Sequence, residues 1–157
     1  MSFSEQYYEP AISRPFVRST VSKVLHLYAK QKIKKQECYT EDMKKIDDKM
    51  TITELTEMAE KMYGSLVKGV VDLQRHVLIV DAEMHADEEQ LLLEDGSQQQ
   101  DLWGINLYPA KFGTDEFIEF DSMINIRPRQ HNMSRGVEDE DIRKQIVALV
   151  SEKVGSA

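Results

Sequence analysis

Apolar positions recur along this chain in two rhythms, and each switch between them marks a new element. Val17, Val21, Val24, Leu25 and Tyr28 fall at i, i+4, i+7, i+8 and i+11, one face of a helix, with Arg18, Lys23, Lys30 and Lys34 off that stripe. Residues 36–50 mix charges with few apolar positions and read as a linker. Thr51 and Glu54 then stand at capping-box spacing, ahead of an inward stripe of Leu55, Met58, Ala59 and Met62, and Gly64 offers a left-handed stop. A short helix is expected there. The rhythm next becomes that of strands: LVKGVVDL and HVLIVDAEMH flank Gln74 and Arg75 and predict a hairpin.

Asp87 and Gln90 repeat the capping spacing before Leu91 to Leu93, and Gly96 follows, so a second helix is expected from Asp87. DLWGINLY and FIEFDSMINIR alternate on either side of PAKFGTDE, the pattern of a second hairpin with a long loop. Ile142, Ile146, Leu149 and Val150 close the pattern as an amphipathic helix, after which Gly155, Ser156 and Ala157 are expected to fray. The reading is an α+β fold of order αββαββα. It has a four-stranded antiparallel sheet, helices mainly on one face, and a basic helical extension at the N-terminus. The extension and linker are assigned to residues 1–50 and the α+β domain to 51–154.

Charge sharpens that division. The net charge is −8, yet residues 1–50 carry ten Lys and Arg against seven Asp and Glu, while residues 51–157 carry ten against twenty-one. An acidic body disfavours a broad nucleic-acid surface and leaves only a local basic patch for such a role. The lone Cys38 permits neither an intrachain disulfide nor a cysteine-based zinc site, and the chain has no apolar run long enough to span a membrane. A cytoplasmic location is expected. The stretch from Pro10 to Gln36 lacks acids, the composition of an organelle transit peptide, and that remains the alternative to a helix docked on the body or on a second copy.

Strand alternation proposes a working face. Glu119, Asp121, Met123, Asn125 and Arg127 should point away from Ile118, Phe120, Ile124 and Ile126, joined by Asn106 and, if the second strand runs on, by Asp81, Glu83 and His85. A sheet covered on one side is polar on the other simply because water is there, but Asn and Asp are depleted in strands, so Asn106, Asp121 and Asn125 carry information. Beyond them Arg127, Arg129 and Arg135 stand in a loop with Pro128, His131 and Asn132. Guanidinium forks suit carboxylate or phosphate oxygens, so the loop reads either as an anion site or as internal pairing with acids such as Glu138, Asp139, Glu140 and Asp141.

Three kinds of chemistry compete for these residues. A ligand site would use Arg127, Arg129, Arg135, Asn106 and Asn125 to receive an anionic small molecule or a protein partner's acidic or phosphate-bearing segment. A hydrolase or nuclease-like site would use Glu83, His85 and Asp121 as acid–base groups, with Arg127 facing a developing negative charge. Asp81, Glu83 and His85 form a weak metal set, better suited to Mg²⁺ or Mn²⁺ than to Zn²⁺. Zinc deamination, suggested by His85 and Asp87 after two strands, lacks the cysteine ligands it needs. Homo-oligomerisation and the identity of any cofactor both stay open.

Taken together, SLVKGVVDL, EMHADEEQLLLEDGS, DLWGINLYP and EFDSMINIRP with SRGVEDEDIR resemble a mainly bacterial domain-of-unknown-function family, DUF5674, over about residues 50–152. The resemblance implies an independent domain with the basic segment added to it, and it supplies no activity. A non-catalytic binding domain is the reading preferred on the residues.

Overall fold

The structure is a computed structural model, and it describes residues 43–46 and 49–156. The amphipathic stripe of Val17 to Tyr28, the basic extension and Cys38 lie outside the described residues. The described chain runs β1 (Lys44–Ile46), β2 (Met50–Thr51), α1 (Ile52–Met62), β3 (Val67–Asp72), β4 (Val77–Val80), α2 (His85–Glu94), β5 (Leu102–Leu107), β6 (Ile118–Glu119), α3 (Glu140–Lys153) and β7 (Val154–Gly155), with short 3-10 turns between. Both expected hairpins form. β3 and β4 pair antiparallel from Asp72 with Val77, and β5 pairs β6 through Asn106 with Glu119 and Leu107 with Ile118. The fold is α+β with an antiparallel main sheet, ordered β1-β4-β3-β5-β6.

That sheet has five strands rather than four, because Lys44–Ile46, expected to be linker, adds an edge to β4. Its one deeply buried apolar residue, Ile46, is enough to dock it, while Lys44 and Lys45 bond Glu54 and Asp95. Gly155, expected to fray, is paired instead: Val154 and Gly155 run parallel with Met50 and Thr51. Met50 and Val154 are buried in the main core, which supplies the reason.

α1 begins as its sequence dictates. Thr51 accepts from the Glu54 amide at 3.2 Å and donates its own amide to Glu54 at 2.9 Å, closing the capping box. Its Leu55 and Ala59 join Ile146, Leu149 and Val150 of α3 against Val67, Val71, Leu78, Val80, Trp103, Ile105 and Leu107, one face of the sheet. The opposite face carries Val70, Val77, Ile79 and Leu102, and these pack against Leu91 and Leu92 of α2 and Ile124. Two helices share one side, then, but the other side is not open to water over this region.

α2 starts at His85, two residues before the expected cap at Asp87. Glu88 reaches back to accept from the Ala82 amide at 3.3 Å, and His85 turns inward to a strand carbonyl, so tertiary partners set the start. The largest departure lies after β6, which stops at Glu119 although alternation continues to Arg127. Gly104 explains the break. A Cβ there would stand 2.5 Å from Ser122 Oγ and 3.1 Å from Ile124 Cγ1, so the chain crosses onto the sheet where β5 has no side chain. Ile118 and Phe120 consequently pack on one core and Ile124 on the other.

Candidate functional site

Past β6 the chain forms two 3-10 turns, Met123–Asn125 and Pro128–Gln130, whose backbone leaves few hydrogen bonds for the neighbouring strand. Side-chain amides make up the difference. Asn125 Oδ1 accepts from the Gly104 amide at 2.8 Å, and its Nδ2 donates to the Gly104 carbonyl at 2.9 Å and the Arg135 carbonyl at 2.9 Å. Asn132 Nδ2 donates to the carbonyls of Asn125, Ser134 and Gly136, while its Oδ1 accepts from the Glu138 amide. Two buried asparagines thus fold the arginine loop onto the sheet.

Arg127 is itself buried. Its Nε donates to the Ile124 carbonyl at 2.9 Å, Nη2 lies 3.5 Å from Glu89, and the guanidinium carbon sits 5.0 Å from the centre of the Trp103 ring. Burial lowers its pKa, opposed by Glu89 and Asp101. Arg135 is outward and forms a two-pronged pair with Asp121, Nε to Oδ1 at 2.7 Å and Nη2 to Oδ2 at 3.0 Å. Two of the loop arginines therefore pair within the body, but with Glu89 and Asp121 instead of residues 138–141. Asp139 caps α3, and Glu138 accepts from the Met133 and Ser134 amides.

Beside the Arg135–Asp121 pair lies a cavity of about 410 Å³, within the range of small-molecule sites. Tyr63, Leu66, Met84 and Met123 give it apolar walls, and Lys68, His85, Asn106, Asp121 and Arg135 give it polar groups. The strands fix this grouping, since Lys68 of β3 and Asn106 of β5 are direct cross-strand partners. Lys68 Nζ stands 5.0 Å over the Tyr63 ring. His85 Nε2 lies 2.8 Å from the Ile105 carbonyl oxygen, so Nε2 carries the hydrogen and Nδ1 the lone pair of the neutral ring. Burial holds the His85 pKa below its ordinary 6.5, helped by Lys68 and Arg135 and opposed by the Ile105 carbonyl and Asp121. The ring is therefore neutral near pH 7.

Asn106 is 6% exposed. Its Nδ2 donates to Glu119 at 2.8 Å and, at 3.4 Å, to the Asp121 carbonyl; both are acceptors, which fixes the orientation of the amide. Its Oδ1 is buried without a hydrogen-bond partner among the described residues. Buried carbonyl oxygens of this kind are seldom left unsatisfied.

A family model described as a protein of unknown function, DUF5674, matches residues 44–153. The chain belongs to that family. Comparisons with curated proteins and with solved structures give no match. The matched span of the DUF5674 domain includes β1, which the sequence-based boundary at residue 51 had left outside.

Within the DUF5674 domain the candidate residues separate. His85, Asn106, Asp121 and Arg135 line one cavity. Asn125 uses both ends of its amide on backbone groups, and Arg127 lies against Trp103 and Glu89 instead of joining His85 and Asp121. Arg129 is exposed. Glu83 is exposed too, and what it contributes is a backbone carbonyl, which accepts from the Tyr63 hydroxyl. Asp81 adopts a left-handed conformation, φ 79°, just after β4, which ends the strand before Glu83 and His85 could share its face. Among the described residues no cluster of three or more His, Cys, Asp or Glu has the geometry to hold a metal ion. No described helix is long and apolar enough to cross a membrane.

The alternation argument missed Lys68, as well as the apolar walls from Tyr63, Leu66, Met84 and Met123. Lys68 did leave a signal, as the one cation in the otherwise apolar run LVKGVV.

Proposed function

We propose that the DUF5674 domain is a binding module for a small monoanionic molecule with an apolar body, held in the cavity between β3, β5 and the N-terminal end of α2. The observation that carries this reading is the convergence of Lys68 and Arg135 on a cavity of about 410 Å³ with apolar walls. With Asp121 offsetting one cation and His85 neutral, the polar lining sums to a single positive charge. A monoanion complements it, whereas a second negative charge would go unmatched. Arg135 also keeps donor capacity. Its Nε and one Nη2 hydrogen serve Asp121, and guanidinium has five N–H groups. The anion site expected on Arg127, Arg129 and Arg135 is accordingly reassigned to Arg135 with Lys68.

The test is a thermal-shift comparison of the full chain with phenylacetate and with its neutral amide. Phenylacetate should raise Tm in proportion to the logarithm of its concentration above Kd, the amide should not, and Lys68→Ala/Arg135→Ala should abolish the response. Equal responses to acid and amide, or an undiminished response in the double variant, would overturn the reading.

A further inference from the structure

The inward stripe of α2 carries one residue that the anion site itself does not touch. Its buried positions are His85, Glu88 and Leu92, three and four residues apart, so a single helix face turns a carboxyl into the protein where packing alone would favour a hydrocarbon. Glu88 is fully buried. Oε1 accepts from the Ala82 amide at 3.3 Å, Oε2 has no hydrogen-bond partner among the described residues, and no described cation pairs with it. A buried carboxylate with so few donors is costly, and this setting favours the neutral acid.

The backbone ties Glu88 to the cavity. Met84, His85 and Ala86, at the start of the same helix, line it. Ala82, which holds Oε1, follows Asp81, whose amide donates to the Lys68 carbonyl at 3.3 Å. Charged groups reach Glu88 from three directions: Lys68 on β3 favours its ionised form, while Asp81 just after β4 and Asp87 on α2 oppose it. His85, one turn earlier, is neutral. β5 and the Met123–Asn125 turn, also packed on α2, carry no ionisable side chain, and the other acid of β3, Asp72, stands four residues along the strand. Lys68 thus faces both a cavity and a buried carboxyl. Once ionised, that carboxyl would offset the Lys68 charge and repel a second anion through a poorly screening interior.

Building on the anion reading, we infer that Glu88 sets the charge of the cavity, which takes its anion when Glu88 carries a proton and releases it when Glu88 ionises. Glu88 touches no ligand and acts through Lys68. Linkage makes the effect reciprocal, so a bound anion holds the Glu88 proton to higher pH.

The test follows the side-chain carboxyl ¹³C resonance of Glu88 against pH in the full chain, free and saturated with phenylacetate. Its midpoint should rise by about one pH unit with the acid bound, the counterpart of about tenfold tighter binding to the protonated form. Titration calorimetry above pH 6.5, where His85 is neutral, should show phenylacetate affinity falling as Glu88 ionises, and Glu88→Gln should remove that fall. The resonance is read on the unaltered chain, so the test stands whether or not the variant folds. An unmoved midpoint, a carboxyl that keeps its proton until the fold is lost, or an equal fall in Glu88→Gln would overturn the inference and leave the anion reading standing. Failure of phenylacetate to bind at any pH would overturn both.

Discussion

Removing the Asn125 amide strips hydrogen bonds from the Gly104 amide, the Gly104 carbonyl and the Arg135 carbonyl in a buried setting. Each orphaned backbone group costs on the order of 1–3 kcal/mol. Asn125→Ala should therefore lower stability by roughly 3 kcal/mol or more, read as a shift in urea midpoint at constant slope. Arg129→Ala, at an exposed position of the same loop, should change it by less than about 0.5 kcal/mol. Glu88 makes a different prediction. It is fully buried on α2, and burial raises its pKa well above the ordinary 4.5, against the Ala82 amide and Lys68. The folded protein thus keeps a proton that the unfolded chain releases above pH 4.5, so the wild type should lose stability as pH rises above that value. Glu88→Gln retains the oxygen that accepts from Ala82 and cannot ionise. The variant should match the wild type below pH 4.5 and become progressively more stable than it above, in denaturation curves taken across that range.

At the level of elements, the account turns on the place where β6 stops and the chain crosses Gly104. Gly104→Ala would drive a methyl into Ser122, whose Oγ and Cβ lie 2.5 and 2.6 Å from that point, and both belong to packed chain. A loss of about 1–3 kcal/mol is expected, with increased amide exchange across residues 121–135. The cap of α1 carries its own pH signature. The Thr51 amide, with help from Lys44 and the Thr51 hydroxyl, pulls the Glu54 pKa from 4.5 down to about 2. The stabilisation is present above pH 4.5 and is lost as pH falls toward 2, so Glu54→Gln should flatten the acid limb of the stability profile. α1, both hairpins and α3 could be read from periodicity because their caps and stripes are local. β1, β2 and β7 could not, since strands of two or three residues owe their form to partners remote in sequence. Alternation through residues 118–126 misled for a related reason: one apolar series is divided between two cores by a glycine on another strand.

At the largest scale, two cores among the described residues lie on opposite faces of one sheet and replace the single covered face that the sequence suggested. The polar residues picked out by their poor strand propensity separate by their contacts. Asn125 folds the loop, while Asn106 and Asp121 line a cavity. Sequence spacing could not separate these roles, because the contacts that decide them link β5 to a loop some twenty residues away. Nor could it place Arg127, whose Trp103 and Glu89 neighbours come from distant elements. The central claim, that an anion enters beside Lys68 and Arg135 and not at Arg127 and Arg129, is tested most directly by a ¹H–¹⁵N NMR titration of the full chain with phenylacetate. Saturable shifts centred on Lys68, His85, Asn106 and Arg135 are predicted. Shifts centred on Arg127 to His131, or none at all, would contradict it.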